Sequence, residues 1–96
     1  MEFKTEDLKI INNEAAGRFE TRLGNETAFL SYQRRPGRII YVHAEVPPAY
    51  EHHGVAGILT KTALDYARTN GLKVVPVCPY VASYIRQHPE YQDLVE

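Results

Sequence analysis

The chain has 96 residues, of which 44% are hydrophobic and 24% are charged. This length and balance predict one globular domain, residues 1–96, with a single modest core. The formal net charge of −1 shows no excess of basic residues, which argues against a protein that binds nucleic acid or an anionic membrane surface. No apolar run approaches the ~20 residues that a membrane span needs.

The cysteine content indicates a reducing compartment. Cys78 is the single cysteine, so an intrachain disulfide and a secreted disulfide scaffold are excluded. The first seven residues are acidic and lack the apolar stretch of a signal peptide. We therefore expect a cytoplasmic protein.

Alternating polarity in the first half predicts an antiparallel meander of three strands, over residues 17–23, 26–34 and 38–46. Gly24-Asn25 and Pro36-Gly37 supply the turns between them. The inward-facing side chains of the first two strands are expected to be Phe19, Thr21, Ala28, Leu30 and Tyr32. In the third strand, simple alternation places Ile40, Val42, Ala44 and Val46 on one face and Tyr41, His43 and Glu45 on the other.

The second half changes to helical periodicity after Pro47-Pro48, which cannot donate to a strand ladder. From Val55 onwards the apolar residues recur every three to four positions, until Asn70-Gly71 ends the helix. The members of this apolar stripe are Val55, Ile58, Leu59, Ala63, Tyr66 and Ala67. A short apolar strand over residues 73–77 then completes a right-handed strand–helix–strand unit.

A second helix is predicted to begin at Pro79 and to run through Tyr84 and Ile85, because proline is favoured in the first helical position. His88-Pro89 ends this helix. The tail, residues 90–96, fits either a turn or a docked strand.

The loop from Glu51 to Gly57 leads directly into the first helix. A helix N-terminus presents unpaired N–H groups, and Gly54 and Gly57 would let a phosphate approach the backbone closely. The spacing fits neither a Walker loop nor the dinucleotide-binding fingerprint. An ordinary turn before a helix is the alternative interpretation.

The adjacent His52 and His53 suggest a metal site at first sight, but neighbouring side chains point apart and no second ligand pair has suitable spacing. We therefore predict no metal. His53 remains a candidate phosphate contact, since a protonated imidazole would attract an anion.

Two residues have the chemistry for group transfer. Cys78 stands where a buried strand meets a helix N-terminus, which lowers a thiol pKa and suits a nucleophile, although a buried cysteine often only fills space. His43 could act as a general base, or it could be an ordinary hydrogen-bonded strand histidine. The residues alone leave both alternatives open.

Three segments in order, "HAEVPP", "ALDYARTNGLKV" and "CPYVASYIRQHPEYQDLV", carry a family resemblance. Over about residues 12–95 the chain resembles the small, single-domain branch of the GNAT-type N-acetyltransferases. The resemblance implies a mixed α/β fold with a coenzyme A cleft, acetyl-CoA as co-substrate, and an amine acceptor that is a small molecule or a protein. Gly54 and Ala56 match the family's pyrophosphate loop, whereas Glu51 and His52 depart from it.

The same resemblance assigns roles to individual residues. It places His43 and Cys78 at the reaction centre. It also places the second helix along the adenine or pantetheine side of the cofactor, where Tyr84 could bond the leaving thiolate, with a core position for Tyr84 as the alternative. The implied cofactor-binding residues are Ala44, Glu45 and Val46 for the pantetheine, and His53, Gly54, Val55, Ala56 and Gly57 for the pyrophosphate. A monomer or weak homodimer is expected. A coenzyme A-binding module without turnover and an interaction domain remain as alternatives.

Overall fold

The structure is a computed structural model that describes residues 8–96. Five strands form one mixed sheet whose spatial order follows the chain. The strands are β1 (Ile11–Asn13), β2 (Arg18–Leu23), β3 (Glu26–Arg35), β4 (Arg38–Glu45) and β5 (Lys73–Pro76). Helix α1 spans Val55–Thr69 and helix α2 spans Pro79–Gln87. The first four strands are antiparallel and β5 joins β4 in parallel, which confirms the predicted α/β fold with a meander followed by a helical crossover.

The predicted strands and helices are present, with most ends displaced by one residue or so. β1 was not predicted, because three residues are too few to show alternation. The tail combines both expected forms: Pro89–Leu94 is a 3-10 helix, and Val95 then forms a parallel bridge with Val74.

The core lies between the sheet and the two helices. Phe19, Leu30 and Tyr41 project from β2, β3 and β4 onto the buried face of α1. That face consists of Val55, Leu59, Thr60, Ala63, Leu64 and Ala67. The Tyr41 hydroxyl donates a hydrogen bond to the Ala63 carbonyl oxygen, and burial raises the pKa of Tyr41 well above its usual value.

A β-bulge corrects the predicted faces of β4. Ser31 pairs with His43 but Tyr32 pairs with Tyr41, so Val42 is an extra residue with no partner on β3. The alternation therefore changes phase at Val42. Before the bulge Ile39 and Tyr41 are buried against the helices, whereas after it Ala44 packs on that side. The prediction that Ile40 shares a face with Ala44, and Tyr41 with His43, was wrong.

Both helices pack on the same face of the sheet. The Tyr91 hydroxyl, just beyond α2, bonds to Asp65 of α1, and Val81 and Ile85 of α2 are buried in the shared core. We call the opposite side of the sheet the open face. It carries side chains of alternating strand positions, including Arg18, Glu20, Phe29, Ser31 and His43. The Arg18 guanidinium lies 4.9 Å from the centroid of the Phe29 ring and bonds to Glu20, so charged side chains cover the Phe29 ring on this face.

Candidate active site

Strands β4 and β5 separate halfway along β4. Their pairing ends at Tyr41 opposite Pro76, and the Cys78 amide makes one further bond, at 2.8 Å, to the Tyr41 carbonyl oxygen. The chain then enters α2 and leaves β4. Among the described strands, residues 42–45 of β4 therefore have a neighbour on the β3 side only. Their other edge can pair with an extended ligand that carries amide groups.

The loop before α1 holds its backbone in an unusual conformation. Gly54, the N-cap residue, has φ +84°, and His52 has φ +66°, which is rare for a residue with a side chain. No side chain caps the helix, and no acidic residue stands in its first turn. The first N–H groups of α1 and the positive end of its dipole are thus available to an anion.

The uncapped helix end borders a cleft of about 390 Å³, and Val46, the residue after β4, lies on its wall. Its lining residues are Val46, Tyr50, Glu51, His52, Gly54, Val55, Ala56 and Tyr80. This set includes four of the residues assigned to cofactor binding from the sequence, namely Val46, Gly54, Val55 and Ala56. Glu51 brings a carboxylate to the same wall, where it opposes the binding of an anion.

Tyr80 is a wall residue that the sequence did not single out. It lies in the first turn of α2 and is 43% exposed. A Cβ atom placed on Gly57 would be 3.5 Å from the Tyr80 hydroxyl oxygen, so the first turns of the two helices meet there. Burial raises the pKa of Tyr80 above its ordinary value. Proline in the preceding position was the available signal, because it fixes Tyr80 beside a helix start.

A second cavity of about 520 Å³ lies on the other side of Val46 and Glu51, which line both spaces. Its walls include Ala44, Glu45 and Glu26, together with the two prolines of the Pro47-Pro48 corner. Ala44 and Glu45, assigned to pantetheine binding, thus border this second cavity rather than the first.

His43 and Cys78 lie on different sides of the sheet. His43 is exposed on the open face, where its ring centroid is 6.1 Å from that of Phe29. Cys78 is 3% exposed and belongs to the core cluster. Both are nevertheless close in the fold to Tyr41, which precedes the bulge before His43 and accepts a hydrogen bond from the Cys78 amide.

The remaining assigned residues lie beside the cleft. Gly57 faces Tyr80 from α1, and His53 is in the loop. Tyr84 is one turn beyond Tyr80, and its ring stacks on His88 at 3.8 Å between centroids. In residues 8–96, no group of three or more His, Cys, Asp or Glu is arranged to hold a metal ion. No helix in the same range is long and apolar enough to cross a membrane.

The model of the GCN5-related N-acetyltransferase family matches residues 18–94. The chain belongs to this family. The resemblance inferred from its sequence motifs is therefore confirmed.

The chain matches three quarters or more of the length of its curated relatives. Protein NATD1 of Mus musculus is 32% identical over 85 residues, which cover 85% of this chain and 77% of that protein. Protein NATD1 of Homo sapiens is 32% identical over 85 residues, covering 85% of this chain and 75% of that protein. Protein NATD1 of Danio rerio is 27% identical over 93 residues, covering 92% of this chain and 84% of that protein.

Proposed function

We propose that this protein is an acetyl-CoA-dependent N-acetyltransferase that acts on an amine in the cytoplasm. One observation carries the proposal: the uncapped N-terminus of α1 borders a cleft whose wall includes Val46, the residue that directly follows the β4 edge without a strand neighbour. A ligand with a pyrophosphate at one end and amide groups along a thin arm fits both features. Coenzyme A has this combination.

Different groups of residues would bind the pyrophosphate and the pantetheine arm of the ligand. The backbone of Gly54, Val55, Ala56 and Gly57 would hold the pyrophosphate, with His53 adjacent. The free edge of β4 up to Val46 would pair with the amides of the pantetheine arm. The Glu51 carboxylate opposes the phosphate charge and lowers affinity.

The thioester supplies an activated acetyl group, and the chain supplies orientation and a base. In the transfer, the amine nitrogen forms a bond to the acetyl carbon, the carbon–sulfur bond breaks, and the amine proton passes to a base. His43 is exposed on the open face, so an acceptor arriving from that side can reach its imidazole directly or through water. The sulfur leaves as a thiolate and takes up a proton.

Direct transfer is favoured over an acetyl-cysteine intermediate. Cys78 is 3% exposed and packs in the core, where attack on a thioester requires the sulfur to be uncovered first. Direct attack needs no protein nucleophile. We therefore assign His43 as the base and Cys78 as a packing residue at the reaction centre.

Isothermal titration with acetyl-CoA tests binding, and release of free thiol from acetyl-CoA in the presence of a panel of primary amines tests turnover. We expect saturable binding and amine-dependent thiol release. His43→Gln should reduce release roughly 100-fold, the lower range for a general base, with little change in affinity. Absence of binding would overturn the proposal, and binding without turnover on any amine would favour a coenzyme A-binding module.

Intact mass measurement after incubation with acetyl-CoA separates the two chemical routes. We expect no acetyl adduct on the wild-type chain, and Cys78→Ser should retain most of its thiol release. An adduct of one acetyl group that disappears in Cys78→Ser would establish the covalent route instead.

A further inference from the structure

A row of cations crosses three strands on the open face, beside the turn between β3 and β4. Arg35 of β3 pairs with Arg38 of β4, and Arg38 pairs with Lys73 of β5. The residues that follow on β4 and β5, Ile39 and Val74, are fully buried on the helix side, so the cations start from the open face. Like charges in directly opposed positions repel each other and weaken a sheet. Strand pairing alone therefore does not account for the row.

The two arginines of the row keep donors for a further anion. The Arg35 guanidinium bonds to the Gln33 side chain at 3.2 Å and to the preceding carbonyl oxygen, and within residues 8–96 it has no carboxylate partner. Arg38 makes one ion pair, to Glu96 at 3.0 Å, and its side chain is 48% exposed. Lys73 is bonded to a carbonyl oxygen of the tail. Since a guanidinium has five N–H donors in a planar fork, both arginines can still bind a carboxylate.

The open face becomes partly apolar next to this row. Ile40 and Val75 pair with each other two residues beyond Arg38 and Lys73, and both are half-buried. Gln33 stands opposite Ile40 on β3. Neither helix of the described residues covers this side of the sheet. These side chains can therefore make van der Waals contacts with a chain that lies on the strands.

The same face leads from the arginines to the proposed base. Ser31 pairs with His43, and Arg35 is four residues further along β3, a distance of about 13 Å at ~3.3 Å per residue. Arg38 is five residues from His43 along β4, or about 16 Å. Glu45, exposed on the far side of His43, supplies a carboxylate there. We call the surface formed by His43, Gln33, Ile40, Val75, Arg35 and Arg38 the open-face strip.

The charges of the open-face strip have a fixed order. A carboxylate and the proposed base lie at one end, and two arginines lie at the other. A ligand that fits this order carries a positive charge at one end and negative charges about 13–16 Å away. An extended peptide advances by ~3.3 Å per residue, so its amine and its acidic side chains would be four to five residues apart. A nucleic acid, which is negative along its whole length, would be repelled by Glu45.

We propose that the acceptor is an extended polypeptide segment that lies along the open-face strip, with its amine at His43 and carboxylates four to five residues away at Arg35 and Arg38. This inference rests on the proposed function and names the substrate class. The amine nitrogen forms the bond to the acetyl carbon, the thiolate leaves, and the amine proton passes to His43. The arginines hold the acceptor and take no part in the transfer.

Short peptides that differ only in residues 5 and 6 provide the test. Each has a free N-terminal amine and no lysine, with either Asp-Asp or Asn-Asn in these positions, and thiol release from acetyl-CoA is measured at low salt. The acidic peptide should have a kcat/KM roughly 5-fold higher, mainly through a lower KM, because two exposed ion pairs contribute modestly. An Asp-Asp pair in residues 2 and 3 should give no such gain. A parallel series with a blocked N-terminus and lysine as residue 1 shows whether a side-chain amine also reaches the base.

Two charge reversals on neighbouring residues of β3 locate the effect. Arg35→Glu should abolish the preference for the acidic peptide and create a preference for a peptide with Arg-Arg in residues 5 and 6. Arg34→Glu is the matched control, because it changes the net charge equally but lies on the helix side, where Arg34 bonds to the Tyr66 hydroxyl of α1. It should retain the wild-type preference. The affinity for acetyl-CoA should be unchanged in both variants.

One measurement does not depend on turnover. Adding the acidic peptide to ¹⁵N-labelled wild-type protein should shift the backbone amide resonances of Arg35, Ile40 and Val75. The amides of Thr69 and Asn70, at the end of α1 on the opposite side of the sheet, should stay in place. The neutral peptide should cause smaller shifts at the same concentration.

The outcomes separate this inference from the proposed function. If small amines and peptides are acetylated without any preference for acidic residues, and the strip amides do not shift, the inference fails and the proposed function stands. Equal loss of the preference in Arg34→Glu and Arg35→Glu would show an effect of net charge and overturn the assignment to the strip. Tighter binding of a short RNA at the same amides would make this a nucleic-acid surface and also overturn it. If no amine supports thiol release, the proposed function fails and this inference fails with it.

Discussion

The two ends of the sheet are built in opposite ways. At the end where β5 begins, which we call the closed end, the Lys73 amide bonds to the Gly37 carbonyl and its ammonium group bonds to the Asp93 carbonyl. Two ion pairs, Arg38–Glu96 and Arg68–Asp93, join the tail to β4 and to the end of α1. At the other end, which we call the cleft end, β4 and β5 part, and α1 begins without a side-chain cap.

The difference shows where the fold gains stability and where it keeps groups free for a ligand. Exposed ion pairs contribute little individually, but those at the closed end act on the same short strand and tail. The cleft end leaves N–H groups unpaired and holds His52 at a positive φ of 66°. Such features are costly for folding and are typical of binding sites. Substitutions at the two ends should therefore have separable effects on stability and on ligand affinity.

The largest expected effect is on stability and comes from the core between the two ends. Leu64 of α1 is 0% exposed. Leu64→Ala removes buried methyl groups and leaves a cavity, so the free energy of unfolding should fall by about 2–5 kcal/mol in a urea titration. The affinity of the folded fraction for acetyl-CoA should not change. A large loss of affinity at temperatures where the variant is fully folded would show that the cleft depends on core packing.

Alkaline pH should lower the free energy of unfolding through Tyr91, a residue of the tail that packs on α1. Burial and a hydrogen bond to Asp65 raise the pKa of Tyr91 from 10.0 to about 12. The unfolded chain loses this proton first, so the stabilising contribution is complete below pH 10 and is lost as pH rises through 12. The loss amounts to roughly 3 kcal/mol.

Urea titrations between pH 8 and pH 12 measure this effect. Tyr91→Phe should be about 1 kcal/mol less stable at pH 8 because it lacks the Asp65 bond, and its stability should fall less steeply with pH. Burial also raises the pKa of Tyr41, so the variant retains a residual slope. Identical slopes for the two proteins would contradict the assignment to Tyr91.

A pair of glycine substitutions separates the two ends most directly. Gly54 at the cleft end has φ +84°, and Gly37 in the turn at the closed end has φ +73°. Alanine in either position should destabilise the fold by a similar amount, roughly 1–2 kcal/mol, because a residue with a Cβ is strained at positive φ. Only Gly54→Ala also disturbs the N–H groups at the proposed pyrophosphate position, so it alone should weaken acetyl-CoA binding, by about 10-fold.

Thermal melting and calorimetry on both variants give the comparison. Apart from its two chain neighbours, no residue has an atom within 4 Å of a Cβ added to Gly37, so its substitution reports backbone strain alone. Equal affinities for the two variants would mean that the α1 N-terminus does not contact the ligand.

The sequence predicts the meander, both helices and the parallel crossover, because alternation and proline or glycine punctuation are local signals. The bulge at Val42 escaped prediction, since counting alternate residues assumes that every residue of β4 has a partner. The unbroken apolar run from Ile39 to Val42 was the available warning. Tyr80 was missed for another reason: which tyrosine of α2 faces the cleft depends on the rotation of that helix against α1, and rotation is a tertiary property.

The smallest expected effect concerns the carboxylate in the cleft wall. Glu51 lines the cleft, whereas Glu26 lines only the second cavity. Glu51→Gln removes a negative charge near the proposed pyrophosphate position and should tighten acetyl-CoA binding by about 2- to 5-fold at low salt. The gain should shrink at 0.3 M salt, because ions screen exposed charges. Glu26→Gln, the matched control, should change affinity less. Weaker binding by Glu51→Gln would instead show that Glu51 accepts a hydrogen bond from the ligand, and the departure from the family loop would then be a recognition feature.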